Sequence, residues 1–160
     1  MATTFRTTLG PPDPLAIEQL VRATGFFNDE EIGIARELAD DGLAHGAGGH
    51  YRFVLADSGR DLAGYACFGP VPCTQSAWDL YWIAVDPRHQ GQHLGRDVLA
   101  RVESAVRNAG GTRIYADTSS RRQYAPTRAF YERRGYEQVA ELPEFYAPGD
   151  GKIVFGRVLT

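Results

Sequence analysis

Cysteine is scarce in this chain: Cys67 and Cys73 are the only two among 160 residues. Two thiols build no disulfide scaffold, and with four scattered histidines they form no four-ligand zinc site, so no metal is expected. An excess of positive charge is also missing. Seventeen Lys and Arg stand against twenty Asp and Glu, a net −3. Phosphate-driven binding needs a basic face, so nucleic acid is not an expected partner. No apolar run approaches the roughly 18 residues of a membrane span, and the N-terminus lacks a signal-peptide core. A membrane partner is therefore not expected, and the chain reads as soluble and cytoplasmic. Repeats, low-complexity tracts and Pro/Ser-rich linkers are absent too. With 43% hydrophobic and 23% charged residues, residues 1–160 read as one globular domain.

The elements follow from periodicity. Phe5 to Leu9 is a short β-prone run stopped by Gly10-Pro11-Pro12. A helix fits from about Pro14, with Ile17, Leu20, Val21 and Thr24 on one face. Asn28, with Glu31 three residues later, marks a second helix by a capping box. Its apolar stripe is Ile32, Ala35, Leu38 and Ala39. Tyr51 to Leu55 and Leu62 to Phe68 then form a hairpin. Ala77 to Val85 is apolar on both faces, which predicts a central strand covered on both sides. Leu94, Val98, Val102, Ala105, Val106 and Ala109 repeat at helical spacing until Gly110-Gly111. A strand at Ile114 to Thr118, a helix from Pro126 to Arg134, and strands at Tyr136 to Leu142 and Ile153 to Leu159 complete the chain. The order β-α-α-β-β-β-α-β-α-β-β implies an α/β sandwich with a mixed sheet.

The chemistry begins at Ile83-Ala84-Val85-Asp86-Pro87-Arg88-His89-Gln90-Gly91-Gln92-His93-Leu94-Gly95-Arg96. A buried strand runs into a glycine-containing loop that opens a strong helix. Free N–H groups and the helix dipole make such a junction an anion site, most naturally for phosphates. It is neither the G-x-G-x-x-G fingerprint nor a Walker loop, since no Gly-Lys-Ser/Thr follows.

This segment resembles the pyrophosphate loop of the GNAT superfamily of acetyl-CoA-dependent N-acetyltransferases, Q/R-x-x-G-x-G/A after a strand ending in Val. Gln90-Gly91-Gln92-His93-Leu94-Gly95 takes that place, with His93 where the family carries glycine. A histidine is tolerable there if its φ stays negative and its ring points outward. A second block, Tyr124 to Tyr136, is similar to the family's N-x-x-A-x-x-x-Y-x-x-x-G-F. Tyr131, Gly135 and Tyr136 fall on Y, G and F, Thr127 replaces alanine, and Tyr124 replaces asparagine. The element order agrees, so the resemblance covers about residues 5 to 159 and implies a GNAT-like α/β fold with a mixed, mostly antiparallel central sheet flanked by helices.

It also implies acetyl-CoA as cosubstrate and transfer of acetyl to a primary amine of a small molecule or peptide. Such transfer needs a neutral amine, a stabilised carbonyl oxygen and a proton for the departing thiolate. The family's acid falls on Tyr131. Ile83, Ala84 and Val85 take the place of the strand whose splayed backbone binds the pantetheine arm. Gln90 to Arg96, with Tyr124 and Tyr131, complete the implied cofactor contacts. Asp117 and Asp79 are rival candidates for the base. His45 and His50, Arg121-Arg122 and Arg133-Arg134 read as exposed surface, and Pro148 to Lys152 as a hairpin turn. A homodimer is allowed. The competing reading is a non-catalytic acyl-CoA sensor or docking domain of the same fold, suggested by His93 and Tyr124.

Overall fold

A computed structural model describes residues 2–160. Its elements are β1 (Thr3–Arg6), α1 (Asp13–Ala23), α2 (Asp29–His45), β2 (Arg52–Ser58), β3 (Asp61–Pro70), β4 (Ala77–Val85), α3 (Leu94–Asn108), β5 (Arg113–Ser119), α4 (Ala125–Arg133), β6 (Glu137–Ala147) and β7 (Asp150–Val158). The order is the one expected. One seven-stranded sheet runs β1-β2-β3-β4-β5-β7-β6. β4 and β5 pair parallel, while β1/β2, β2/β3, β5/β7 and β6/β7 pair antiparallel. The chain divides into two compact units: one holds the chain up to Gly69 together with Trp82–Ala105, the other Pro70–Tyr81 with Val106–Thr160.

In the first unit the apolar stripes of both N-terminal helices meet β2 and β3. Ile17, Leu20 and Val21 of α1 and Ile32, Ala35 and Ala39 of α2 bury against Phe53, Leu55, Tyr65 and Cys67. Each large aliphatic side chain so buried contributes roughly 1.5–3 kcal/mol. The capping box is formed: Asn28 Oδ1 accepts from the Glu31 N–H at 2.9 Å, and Glu31 Oε1 from the Asn28 N–H at 3.1 Å. Arg6 clasps β1 to its neighbours, bonding Asp13 and Asp57 at 2.6 Å each. The same clasp ends the strand. Arg6 also reaches Thr8 O at 3.1 Å, so the extended segment covers Thr3–Arg6 rather than running on to Leu9.

In the second unit β7 pairs with both β5 and β6. Ile114, Ala116, Ile153 and Phe155 are buried on one face. β6 is the edge strand, exposed along its whole length, and it extends beyond the expected Leu142 because its pairing with β7 resumes at Ala147↔Asp150. Residues 143–146 bulge out opposite Gly151, between the pairs Leu142↔Lys152 and Ala147↔Asp150. Pro148 and Gly149 make the two-residue hairpin turn, Gly149 taking a φ of 79°. The coverage expected for β4 holds on one side only. Trp78, Leu80 and Ala84 are buried, but Tyr81 is exposed and Ile83 and Val85 are half-buried.

Candidate active site

The junction of β4 and α3 is held by its own polar groups. As β4 ends, the Asp86 N–H donates to Ala63 O at 2.8 Å, tying the exit to β3. The Asp86 carboxylate accepts from the Arg88 N–H at 2.8 Å and from its guanidinium at 3.1 and 2.9 Å. Those bonds hold the carboxyl below its ordinary range and fix the tight turn Pro87–His89. Gly64 on β3 makes room beneath. A Cβ there would stand 3.2 Å from Ala84 O and 3.4 Å from the Leu94 side chain.

From Gln90 the backbone turns left-handed twice, at Gly91 (φ 81°) and at His93 (φ 59°). The φ at His93 is thus positive, outside the condition under which a histidine was tolerable there. The chain must reverse into the helix at this point, so the histidine adopts the conformation glycine would take and its exposed side chain does not alter the path. His93 O accepts from the Asp97 N–H at 3.1 Å, which makes it the first carbonyl of the helix. Leu94, Gly95 and Arg96 then present first-turn amides that have no acceptor inside the helix. Fifteen residues of aligned peptide dipoles stand behind them. Alternating left-handed turns before such a start form a concavity of N–H groups suited to a pyrophosphate. At its approach His89 Nδ1 is buried with no hydrogen-bond partner among the described residues.

The second unit supplies titratable groups. Tyr131 on α4 is 4% exposed. Its ring lies 5.5 Å from Phe130 and Tyr136, and stacks on Phe155 at 5.6 Å. Burial, reinforced by the negative charge of Asp117, pushes its phenol well above the ordinary value, so the hydroxyl keeps its proton at neutral pH. Asp117 pairs with Val154, and Ala116 with Phe155. Successive strand residues face opposite ways, which puts Asp117 and Tyr131 on opposite faces of the β5–β7 pair. Asp79, paired with Tyr115, shares the face of Asp117 and is half-buried. The two carboxylates therefore lie together, and the tyrosine lies across the sheet from them. The β4/β5 ladder has four pairs and ends at Leu80↔Ala116, although the strands run on to Val85 and Ser119.

A family model for the acetyltransferase (GNAT) family matches residues 16–136 of the sequence. The chain belongs to the GNAT acetyltransferase family. A GNAT-family protein from Desulfovibrio desulfuricans has 48% identity and a TM-score of 0.97, over 99% of this chain and 100% of that one. Similar in fold at lower identity is an aminoglycoside 6'-N-acetyltransferase complexed with coenzyme A, at 18% identity and TM-score 0.77, covering 100% and 98%. The ribosomal-protein-S18-alanine N-acetyltransferase of Escherichia coli has 20% identity and TM-score 0.78, covering 99% and 95%. No curated protein matches the sequence significantly.

Elsewhere in this GNAT chain the bland readings hold in part. His45 and His50 are exposed, and Arg134 packs over Phe130 at 5.8 Å. Arg121 is not merely solvated: its Nε lies 3.2 Å from Asp150, which is 8% exposed and also accepts from the Ser119 hydroxyl. Arg128 donates to Ser119 O at 2.6 Å and Arg121 O at 2.9 Å. Together these bonds fix the turn from β5 into α4, ahead of Tyr131. Tyr124 stands at the start of α4, with Arg121 over its ring at 5.6 Å. Sequence reading missed this network because Asp150, which anchors it, lies 31 residues from Ser119 and such spacing carries no signal. Gly64 was missed for the same reason, since its neighbours Ala84 and Leu94 lie far along the chain; the Asp86–Arg88 bonds are local and were simply not read. Among the described residues no helix is long and apolar enough to cross a membrane, and no group of His, Cys, Asp and Glu is placed to hold a metal ion.

Proposed function

We propose that this chain transfers the acetyl group of acetyl-CoA to a primary amine of a small molecule or peptide, by direct attack within a single domain. The observation that carries the reading is the loop from Val85 to Arg96. Its backbone keeps the left-handed turn of a phosphate cradle even where histidine replaces glycine. In this reading the amides of Leu94, Gly95 and Arg96 hold the pyrophosphate. The backbone near Ile83 to Val85, past the last β4/β5 pair, takes the pantetheine arm, and an N–H there stabilises the carbonyl oxygen as charge develops.

The face separation divides the acid–base work. Asp117, past the last β4/β5 pair, takes a proton from the incoming ammonium; Asp79, inside the ladder, is the poorer placed of the two. Tyr131, on the other face, gives a proton to sulfur. A buried phenol is a weak acid, but it is always loaded, and a thiolate with a solution pKa of about 8.5 is a fair leaving group. The aminoglycoside and ribosomal-protein enzymes both use amine acceptors, which supports an amine here and leaves both sizes open. A sensor of the same fold, suggested by His93 and Tyr124, would hold the cofactor through the same loop, so turnover separates the two readings. Thiol release measured over a panel of primary amines tests the reading. Amine-dependent release of CoA is expected, whereas binding without release would establish the sensor.

A further inference from the structure

Lysine occurs once in the chain, at position 152, against sixteen arginines. It is not placed as a solvated surface charge. On β7, Lys152 pairs across to Ser119. Its Nζ lies 2.9 Å from Asp117 Oδ2 and 4.6 Å from the centre of the Phe145 ring. Phe145 belongs to the bulge of residues 143–146, where Glu144 takes a left-handed φ of 56°. A carboxylate and an aromatic face, the two groups that recognise an ammonium, thus already hold one. They do so on the face that carries both candidate bases, one residue past the last pair of β4 with β5. The lysine side chain is 22% exposed and that of Asp117 50%.

Chemistry separates this residue from the other cations. A guanidinium stays protonated in proteins and cannot attack a thioester, whereas an ammonium beside a base can give up its proton. Among the cationic side chains, Lys152 is the single one able to accept an acyl group.

We propose that Lys152 is a self-acetylation site, with Asp117 as the proton acceptor. The inference rests on the acetyl-transfer reading above. Asp117 takes one proton from the Nζ ammonium, and the neutral nitrogen forms a bond to the acetyl carbonyl carbon. The carbon–sulfur bond breaks with its electron pair on sulfur. Tyr131 protonates the thiolate from the other face; the second proton that Nζ loses goes to solvent, and solvent returns one to Tyr131. The products are acetyl-lysine, free CoA and one proton released from Asp117; no further reactant enters. Acetylation removes the charge of Lys152, so Asp117 loses its ion pair and the Phe145 ring its cation. Both then become available to an external amine, and the site passes from self-occupied to open.

The test is intact mass and peptide mapping of the full chain incubated with acetyl-CoA, run beside the thiol-release panel. One acetyl group should appear on Lys152 at a rate independent of protein concentration. That rate should exceed, by at least about tenfold, the rates in the urea-unfolded chain and in Gly95→Glu, since positioning and proton transfer are lost in both. Lys152→Arg should take none at that position. Label confined to the chain's α-amine, an equal rate in the unfolded chain, or a rate that rises with protein concentration would each overturn the proposal. Release of CoA to external amines with Lys152 unlabelled sinks self-acetylation alone. If neither label nor release occurs, the acetyl-transfer reading falls with it.

Discussion

Replacing His93 by glycine tests the loop at the point where the sequence departs from its family. At φ 59° the histidine sits where a Cβ meets the following carbonyl oxygen, at a cost of about 1–2 kcal/mol. Glycine removes that cost but brings a more flexible unfolded chain, which costs roughly 0.5–1 kcal/mol. The balance favours His93→Gly by about 0.5–1 kcal/mol, or roughly 1–4 °C in Tm for a chain of this size. Little is lost in exchange, since the side chain is exposed and has no hydrogen bond or ion pair among the described residues. His93→Ala is the matched control: it drops the ring and keeps the strain, so its Tm should not rise. Thermal melts of the three proteins, with calorimetric titration of CoA, decide the matter. His93→Gly should bind CoA at least as tightly as the parent. A lower Tm, or weaker CoA binding in both variants, would show that the ring itself holds structure or ligand, and the backbone argument would be wrong.

Other consequences follow from the same geometry. Saturating CoA should raise the Tm, because a ligand at about 100 times its Kd stabilises the native state by roughly 2.7 kcal/mol; absence of both a shift and calorimetric heat would refute the cradle. Gly95→Glu should abolish CoA binding while the ligand-free melt stays cooperative, since a carboxylate in the first helical turn repels a pyrophosphate. Asp86 gives a pH signature. Arg88 holds its folded-state carboxyl below the ordinary value, so its stabilisation is present at neutral pH and is lost as the pH falls through that lowered value. Asp86→Asn should therefore melt below the parent near neutrality, with the gap closing below about pH 4; a gap that is constant with pH would contradict the assignment.

What could be read from the sequence was whatever is written in local periodicity. The Asn28/Glu31 capping box, the stripe of α1 and the bounds of β4 are each fixed by neighbours a few residues away, and they appear as expected. Strand ends set by distant partners were not legible. β1 stops where Arg6 turns to Asp13 and Asp57, and β6 runs on to the far side of its bulge because Asp150 pairs with Ala147. The loop from Gln90 to Arg96 and Tyr131 were visible as motifs, but the sign of φ at His93 was not, because a backbone turn overrides what a residue prefers. The opposite facing of Asp117 and Tyr131 emerges only from the register of β5 on β7.

The steady-state rate of amine-dependent CoA release by Tyr131→Phe, set against the parent, tests the catalytic account most directly. The three rings around Tyr131 contact its aromatic body, so the variant should fold and bind CoA as before. Loss of the proton donor should lower kcat about 10²-fold, the low end for general-acid removal because a thiolate leaves readily. That corresponds to about 2.7 kcal/mol of transition-state stabilisation. An unchanged kcat per folded molecule, accompanied by a lower Tm, would show that the hydroxyl serves packing alone and that the proton for sulfur comes from elsewhere.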